Sequence, residues 1–191
     1  MVTAINIDEQ HEVLATKEWL DEIIIGLNIC PFAKKEFVNN TIHYYLSKTE
    51  QVKTALHEFI EQCRYLQNHE ELETTLIIYG DSFRGFERYL DLVDFANDLL
   101  IDSGFEGIFQ IASMHPEYCF DGEDYDDASN FTNRSPYPIL HIIRETSMSR
   151  VLSVYNEPEK IPENNIKLAH KKGADFFQQA LTRIHEKHNR L

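Results

Sequence analysis

The side chains that could do chemistry are concentrated in one segment, residues 110–145. An apolar stretch leads into this segment, another leads out of it, and the residues between them are mostly polar. Its candidate functional side chains are His115, Cys119, Asp126, Asp127, Asn130, Asn133, Arg134 and His141. Because binding and catalytic residues are often carried by loops on a rigid scaffold, we expect the functional site here.

The carboxylates of this segment point to acid–base or metal chemistry. Asp126 and Asp127 stand in tandem within an acidic run. Clustered carboxylates repel one another, and a divalent cation or a basic partner relieves that repulsion. The run is not an EF-hand, because Ala128 and Ser129 occupy positions that need a ligand and a glycine. We predict that Asp126 and Asp127 are catalytic residues or ligands of a divalent metal, with a solvated loop as the alternative.

Two histidines are candidates for proton transfer. His115 follows an apolar stretch and precedes Pro116, so its backbone should be extended and its ring held at a cleft. Imidazole titrates near neutral pH and can act as an acid, a base or a metal ligand. We predict a catalytic or metal-binding role for His115 and a catalytic role for His141. For His141 the competing interpretation is a hydrogen-bonded core histidine, since it shares a strand face with apolar residues.

Two amides and a guanidinium close the segment. Asn130, Asn133 and Arg134 come before a Pro-Tyr-Pro stretch, whose prolines stiffen the chain and fix the direction of the arginine. Arginine binds carboxylate or phosphate groups in a bidentate manner. We predict that all three residues bind substrate. The alternative for Arg134 is that it clamps the tandem aspartates and shapes the loop.

Apolar periodicity predicts the elements that position these side chains. Strands are expected at 41–46, 74–79, 107–113 and 139–144. Helices are expected at 9–25, from Phe86 to about Gly104, from Ser147 to Tyr155 and at 165–188. A further helix should begin after a capping box formed by Ser47 and Glu50. For 139–144 a helix is the alternative. The order predicts one α/β (or α+β) domain over residues 1–191, in which a four-stranded mixed or parallel sheet is flanked by helices, with the N- and C-terminal helices packed on it.

The ends of the first three strands should meet at one edge of the sheet. In open α/β sheets ligands bind outside the carboxyl ends of the strands. If the three strands run in the same direction, Asp81 and His115 emerge beside the acidic loop, so Asp81 joins the predicted substrate-binding residues. We expect His115, the tandem aspartates and Arg134 to line a single cavity. The turn Gly80–Gly85 has the glycine spacing of a phosphate loop but lacks its lysine, and a tight turn is the better interpretation.

Charge and hydropathy limit the classes of partner. The chain has 32 acidic against 18 basic residues and a net charge of −14, which repels phosphate backbones, so we expect no nucleic-acid partner. The absence of a signal peptide and of a long apolar run predicts a cytoplasmic protein without a membrane partner. Bases predominate from Lys160 to Leu191, which predicts a cationic helix face docked on an acidic body. Cys30, in the sequence ICPF, is interpreted as a small buried side chain, with a reactive thiol as the alternative.

Several stretches together resemble a known family. They are GLNICPFA, TTLIIY, YLDLVDFANDLL, QIASMHPEYCFDG and DDASNFTNRSPYPILHIIRE. They resemble DUF1415, a mainly bacterial family without an assigned activity, over about residues 16–173. The resemblance implies one intact domain of that family and marks the block from His115 to His141 as its hallmark. It implies no reaction and no cofactor.

Two functional hypotheses follow from the residues. The first is an enzyme that acts on a small polar or anionic metabolite by metal-assisted or acid–base hydrolysis at residues 113–145. The alternative is a noncatalytic binding or accessory protein, in which the acidic loop and the RSPYP segment recognise a partner.

Overall fold

Four strands form one mixed sheet in the order β1-β2-β4-β3. They are β1 (Ile42–Leu46), β2 (Thr74–Ile78), β3 (Phe109–Met114) and β4 (Ile139–Arg144). The structure, a computed structural model, describes residue 7 and residues 10–153, 155 and 157–189. β1 pairs with β2 in parallel, and β4 lies antiparallel between β2 and β3. The first three strands therefore run in the same direction, and their carboxyl ends share an edge with the start of β4.

Helices cover both faces of this sheet. The described residues contain seven α-helices: α1 (His11–Trp19), α2 (Ala33–Val38), α3 (Val52–Asn68), α4 (Phe86–Asp102), α5 (Glu145–Leu152), α6 (Ile161–Lys172) and α7 (Ala174–His188). A π-helical turn, Leu20–Ile25, continues α1, and a 3₁₀ turn, Ala128–Thr132, lies in the β3–β4 connection. The predicted α/β domain with a four-stranded mixed sheet is confirmed.

Alternate side chains of the strands build two apolar cores. Ile77 of β2 faces a core that includes Phe59 of α3 and Leu92 of α4. Its neighbour Leu76 points to the opposite face and packs in a core with Trp19 of α1 and with α7. Strand side chains alternate between faces, so an apolar residue at every position predicts a strand buried on both sides. All five residues of β2 are indeed buried.

Several predicted element boundaries differ in the structure. The helix predicted at 165–188 is wrong, because Gly173 separates α6 from α7 with φ of +81° and ψ of 153°, which glycine tolerates best. The Ser47–Glu50 capping box does not form, since the Ser47 hydroxyl donates to Glu58 and α3 begins only at Val52. The predicted start of the first helix at residue 9 lies outside the described residues. The helix predicted from Ser147 begins two residues earlier and ends at Leu152.

The basic C-terminal region docks on acidic side chains of α1 and the π-helical turn. Lys187 lies 2.7 Å from Glu18, and the buried His188 lies 2.6 Å from the same carboxylate. Arg183 pairs with Glu22 at 2.5 Å. These contacts agree with the predicted cationic helix face. Among the described residues, no helix has the length and the apolar character needed to cross a membrane.

Candidate functional site

A groove of about 400 Å³ opens at the edge where β2 and β3 end and β4 begins. Its main polar lining residues are Arg84, Glu117, Tyr137, His185 and Glu186, with Gly80 in its wall. They come from three regions: the β2–α4 turn, the β3–β4 connection and α7. The groove thus lies where ligands bind in open α/β sheets, and its volume is that of a small-molecule site.

The groove carries charges of both signs. Arg84 is an exposed side chain paired with Asp81, which is itself 82% exposed. Glu117 lies at the start of the β3–β4 connection, and His185 and Glu186 lie on α7. Exposed ion pairs such as Arg84–Asp81 contribute little stability, so an anionic ligand can take the place of Asp81 at small cost. Asp81, predicted from the sequence as substrate-binding, does not line the groove but pairs with Arg84, which does.

The floor of the groove is a buried tyrosine. Tyr137 is 2% exposed, and its ring lies edge-on to His11 and 5.8 Å from the ring of His185. Its hydroxyl donates to Asn189 Oδ1 at 3.3 Å. Burial raises the pKa of Tyr137 to about 12, and the carboxylates of Glu12 and Asp81 act in the same direction. The phenol therefore stays protonated at neutral pH and remains the donor in the long hydrogen bond to Asn189.

A further carboxylate lies under the groove wall. Glu12 of α1 approaches Gly80 so closely that a Cβ there would lie 3.4 Å from Glu12 Oε1. Gly80 has φ of +54°, a left-handed conformation that glycine adopts readily. Glu12 Oε2 is buried without a hydrogen-bond partner, although His11 Nδ1 lies 3.4 Å away. The site thus includes a carboxylate whose hydrogen bonds are incomplete.

His115, predicted as a base or metal ligand, is a fully buried side chain between the two walls of the groove. Its Nε2 lies 3.0 Å from Phe83 O, and its Nδ1 accepts from Glu117 N at 3.0 Å. Because Nδ1 accepts, Nε2 carries the proton and donates to the carbonyl. Burial lowers the pKa of His115, so the ring is held neutral. Both ring nitrogens are occupied, and the imidazole links the turn that carries Arg84 to the segment that carries Glu117.

Asn130, Asn133 and Arg134 bind the backbone of their own loop. Asn130 is fully buried, accepts from Phe120 N and donates to Asp124 O and Tyr125 O. Asn133 donates to a carbonyl at the end of β3 at 3.3 Å. Arg134 is 4% exposed and donates to two loop carbonyls, one of them shared with Asn130. These side chains hold the connection in shape. Most of the RSPYP segment is buried with them, and its last four residues line the groove.

The two tandem aspartates lie in different surroundings. Asp126 is exposed, whereas Asp127 accepts from Ser129 N at 2.8 Å and pairs with His170 of α6 at 2.9 Å. The hydrogen bonds from Ser129 and then the His170 imidazole lower the pKa of Asp127 to about 2. No three His, Cys, Asp or Glu side chains of the described residues are grouped to hold a metal ion. His115, Arg134 and the tandem aspartates do not share one cavity, because the first two are buried among backbone groups.

His141 lies on the other face of the sheet from the His115 ring. It borders a second, mainly apolar cavity together with Cys30 and Thr74. The Thr74 hydroxyl donates to Ile142 O at 2.6 Å and therefore accepts from His141 Nε2, also at 2.6 Å. Burial lowers the pKa of His141 to about 4, so the ring is neutral at pH 7. The structure therefore separates His141 from the groove.

Acidification from pH 6.5 to 4 should cost the folded protein about 3 kcal/mol through His141. Its folded pKa of about 4 lies below the ordinary 6.5, so the unfolded chain binds the proton first as the pH falls. The contribution is complete above pH 6.5 and is lost on the way down to pH 4. Urea unfolding across this range measures it, and His141→Gln should flatten the curve. Parallel curves for the two proteins would contradict the assignment.

Sequence reasoning missed most of the groove. Arg84 lies in the turn whose glycine spacing predicted only a tight turn. Glu117 and Tyr137 lie in the segment predicted to hold the functional site but are not among its predicted site residues. A search for charged residues in the whole of each connection that follows a strand would have found Arg84 and Glu117. Glu12 and His185 come from the two terminal helices, and no local pattern brings them to the sheet edge.

Comparison with curated proteins and with solved structures found no match. One family model matches residues 12–179, which is most of the chain and includes the groove walls on both the β2–α4 turn and the β3–β4 connection. Its description is "Protein of unknown function (DUF1415)". The chain belongs to the DUF1415 family, as the resemblance of its sequence motifs predicted.

Proposed function

We propose that the chain is an enzyme that binds a small polar or anionic molecule in the groove and hydrolyses it by acid–base chemistry. The observation that carries the proposal is the convergence of Arg84, Glu117, Tyr137 and His185 on one groove at the carboxyl edge of the sheet. A few polar groups that converge in a pocket of this size are typical of small-molecule sites.

Each group has a role that suits its chemistry. Arg84 leaves its ion pair with Asp81 and binds the anionic group of the substrate, because the guanidinium fork matches carboxylate and phosphate geometry. Glu117 and His185 are the acid–base pair, since carboxylate and imidazole are common proton carriers in catalysis. The Tyr137 hydroxyl gives up its hydrogen bond to Asn189 Oδ1 and donates to the bound molecule instead.

The side chains of the groove favour acid–base chemistry over metal-assisted chemistry. The groove holds a guanidinium, one histidine and separate carboxylates, and the described residues offer no grouped metal ligands. The carboxylate of Glu12, which approaches Gly80 through Oε1 and has an Oε2 without a hydrogen-bond partner, is a further group that can accept a proton at this edge.

The test is a hydrolysis assay with small chromogenic phosphate and carboxylate esters, combined with binding of inorganic phosphate followed by NMR. Arg84→Met should weaken binding of the anion about 10- to 100-fold, as expected for the loss of a charged hydrogen bond. Glu117→Gln should leave binding nearly unchanged and lower kcat by about 100-fold or more.

Arg64→Met is the matched control, because Arg64 is an exposed arginine on α3 away from the groove. It should change neither binding nor turnover. If phosphate binding and ester turnover in Arg84→Met and Glu117→Gln equal those of Arg64→Met, the groove is not the site and the proposal fails.

A further inference from the structure

A second cavity, of about 130 Å³, lies on the face of the sheet that packs against α1. Its floor is formed by alternate strand side chains, Ile42 of β1, Leu76 of β2 and Ile143 of β4. Met148 and Val151 of α5 cover it. These walls are apolar, and an apolar cavity of this kind is normally dry.

The polar residues at the mouth of this cavity already satisfy one another. Glu73 accepts hydrogen bonds from Ser147 and from Arg150, the latter at 3.1 Å. Desolvation by itself raises the pKa of Glu73, but the hydrogen bonds from Ser147 and Arg150 outweigh it, so the pKa is lowered. This carboxylate therefore stays charged and paired. A ligand inside the cavity therefore meets its polar partners elsewhere.

Apart from the residues at the mouth and Glu36, which is paired with Thr41 and Lys35, the polar groups of the cavity wall are Cys30, Thr74 and His141. Burial raises the pKa of the Cys30 thiol, so the neutral thiol predominates at pH 7 and alkylation of the sulfur is slow. The Thr74 hydroxyl gives its only proton to Ile142 O and takes the Nε2 proton of His141. Nδ1 of His141 is then an acceptor, and it has no hydrogen-bond partner among the described residues.

This unpaired acceptor beside an apolar space defines a ligand. An apolar cavity of about 150 Å³ is large enough for a benzene ring, so 130 Å³ holds a molecule of similar size. A charged molecule would lose its hydration without gaining a counter-ion, which excludes ions. A hydrogen-bond donor on the ring would satisfy Nδ1, whereas an unsubstituted ring would leave it unpaired.

We propose that this cavity binds a small neutral molecule of about six to eight non-hydrogen atoms, mostly apolar and with one hydrogen-bond donor directed at His141 Nδ1. The site is separate from the groove, because the two cavities share no lining residue. Binding here and hydrolysis in the groove can therefore succeed or fail independently.

Phenol is the probe ligand. Toluene is the control that lacks the hydrogen-bond donor, and benzoate is the charged control. Saturating phenol should slow alkylation of Cys30 at least about fivefold while Cys119, outside the cavity, reacts at its usual rate and serves as the internal reference. Benzoate should not protect Cys30. Phenol should also shift the ¹⁵N resonance of His141 Nδ1, and toluene should leave that resonance in place.

Val151→Trp fills the cavity and should abolish the protection of Cys30 by phenol. Val93→Trp, at a partly buried helical position on the other face of the sheet, is the matched control and should retain it. The measurements on the unaltered protein stand even if Val151→Trp does not fold. Unchanged alkylation of Cys30 in saturating phenol, or an unmoved Nδ1 resonance, overturns the proposal.

Discussion

Arg134→Met should lower the free energy of unfolding by about 2–4 kcal/mol. The guanidinium is 4% exposed and lies 4.5 Å from the ring centroids of both Tyr125 and Phe131. It donates to Tyr118 O at 3.0 Å and to Tyr125 O at 2.6 Å. Methionine fills much of the space but offers no donor, so the variant loses two charged hydrogen bonds and the contact of the cation with two rings. Urea unfolding followed by circular dichroism measures the change.

Arg84→Met provides the matched control for this prediction. Arg84 is an exposed arginine whose ion pair with Asp81 is surrounded by solvent. Its substitution should change the free energy of unfolding by less than about 0.5 kcal/mol. The two arginines thus separate a structural role from a binding role. Equal stability losses in the two variants would show that Arg134 does not hold the β3–β4 connection together.

His115→Phe should destabilise the protein by about 2–4 kcal/mol, although the ring volume is nearly kept. The variant leaves Phe83 O without its partner in a buried site and Glu117 N without its partner in a partly buried one. Each unpaired buried group costs about 1–3 kcal/mol. Urea unfolding at pH 7 measures the loss. Because the imidazole joins the two segments that carry Arg84 and Glu117, phosphate binding in the groove should weaken as well.

His185→Phe is the control for the second prediction, since it also replaces a histidine by phenylalanine. His185 lies on α7 at the groove surface, and its side chain supports no buried backbone group. We expect a stability change within about 0.5 kcal/mol. If His115→Phe kept full stability while catalysis alone was lost, the ring would be a reacting group, as the sequence alone had suggested.

The strands were predictable because their signals are local. A largely apolar run such as 74–78 has to be buried on both faces in any fold. The residues that flank it in the sequence mark where the strand ends. The strand order was not predictable, since nothing local indicates that β4 inserts between β2 and β3. The break at Gly173 was missed because the apolar spacing continues across it and a single glycine is tolerated in many helices.

The candidate site was predictable as a region but not residue by residue. His115, Asn130 and Arg134 were singled out because polar side chains in a loop resemble functional groups. A long connection packed against a core must also satisfy its own backbone, and these side chains do so. A single sequence does not distinguish the two uses of a polar residue. The groove residues on α1 and α7 depend on how the chain ends fold back, which no spacing encodes.

Antiparallel neighbours such as β3 and β4 can be joined by two residues, yet residues 115–138 separate them. The extra length is not required by topology. Phe131 and Tyr137 anchor it in the apolar interior, so the connection is a permanent layer of the molecule and not a flap. A ligand arriving at the groove therefore meets a surface that is already shaped, and little conformational entropy remains to be lost when it binds.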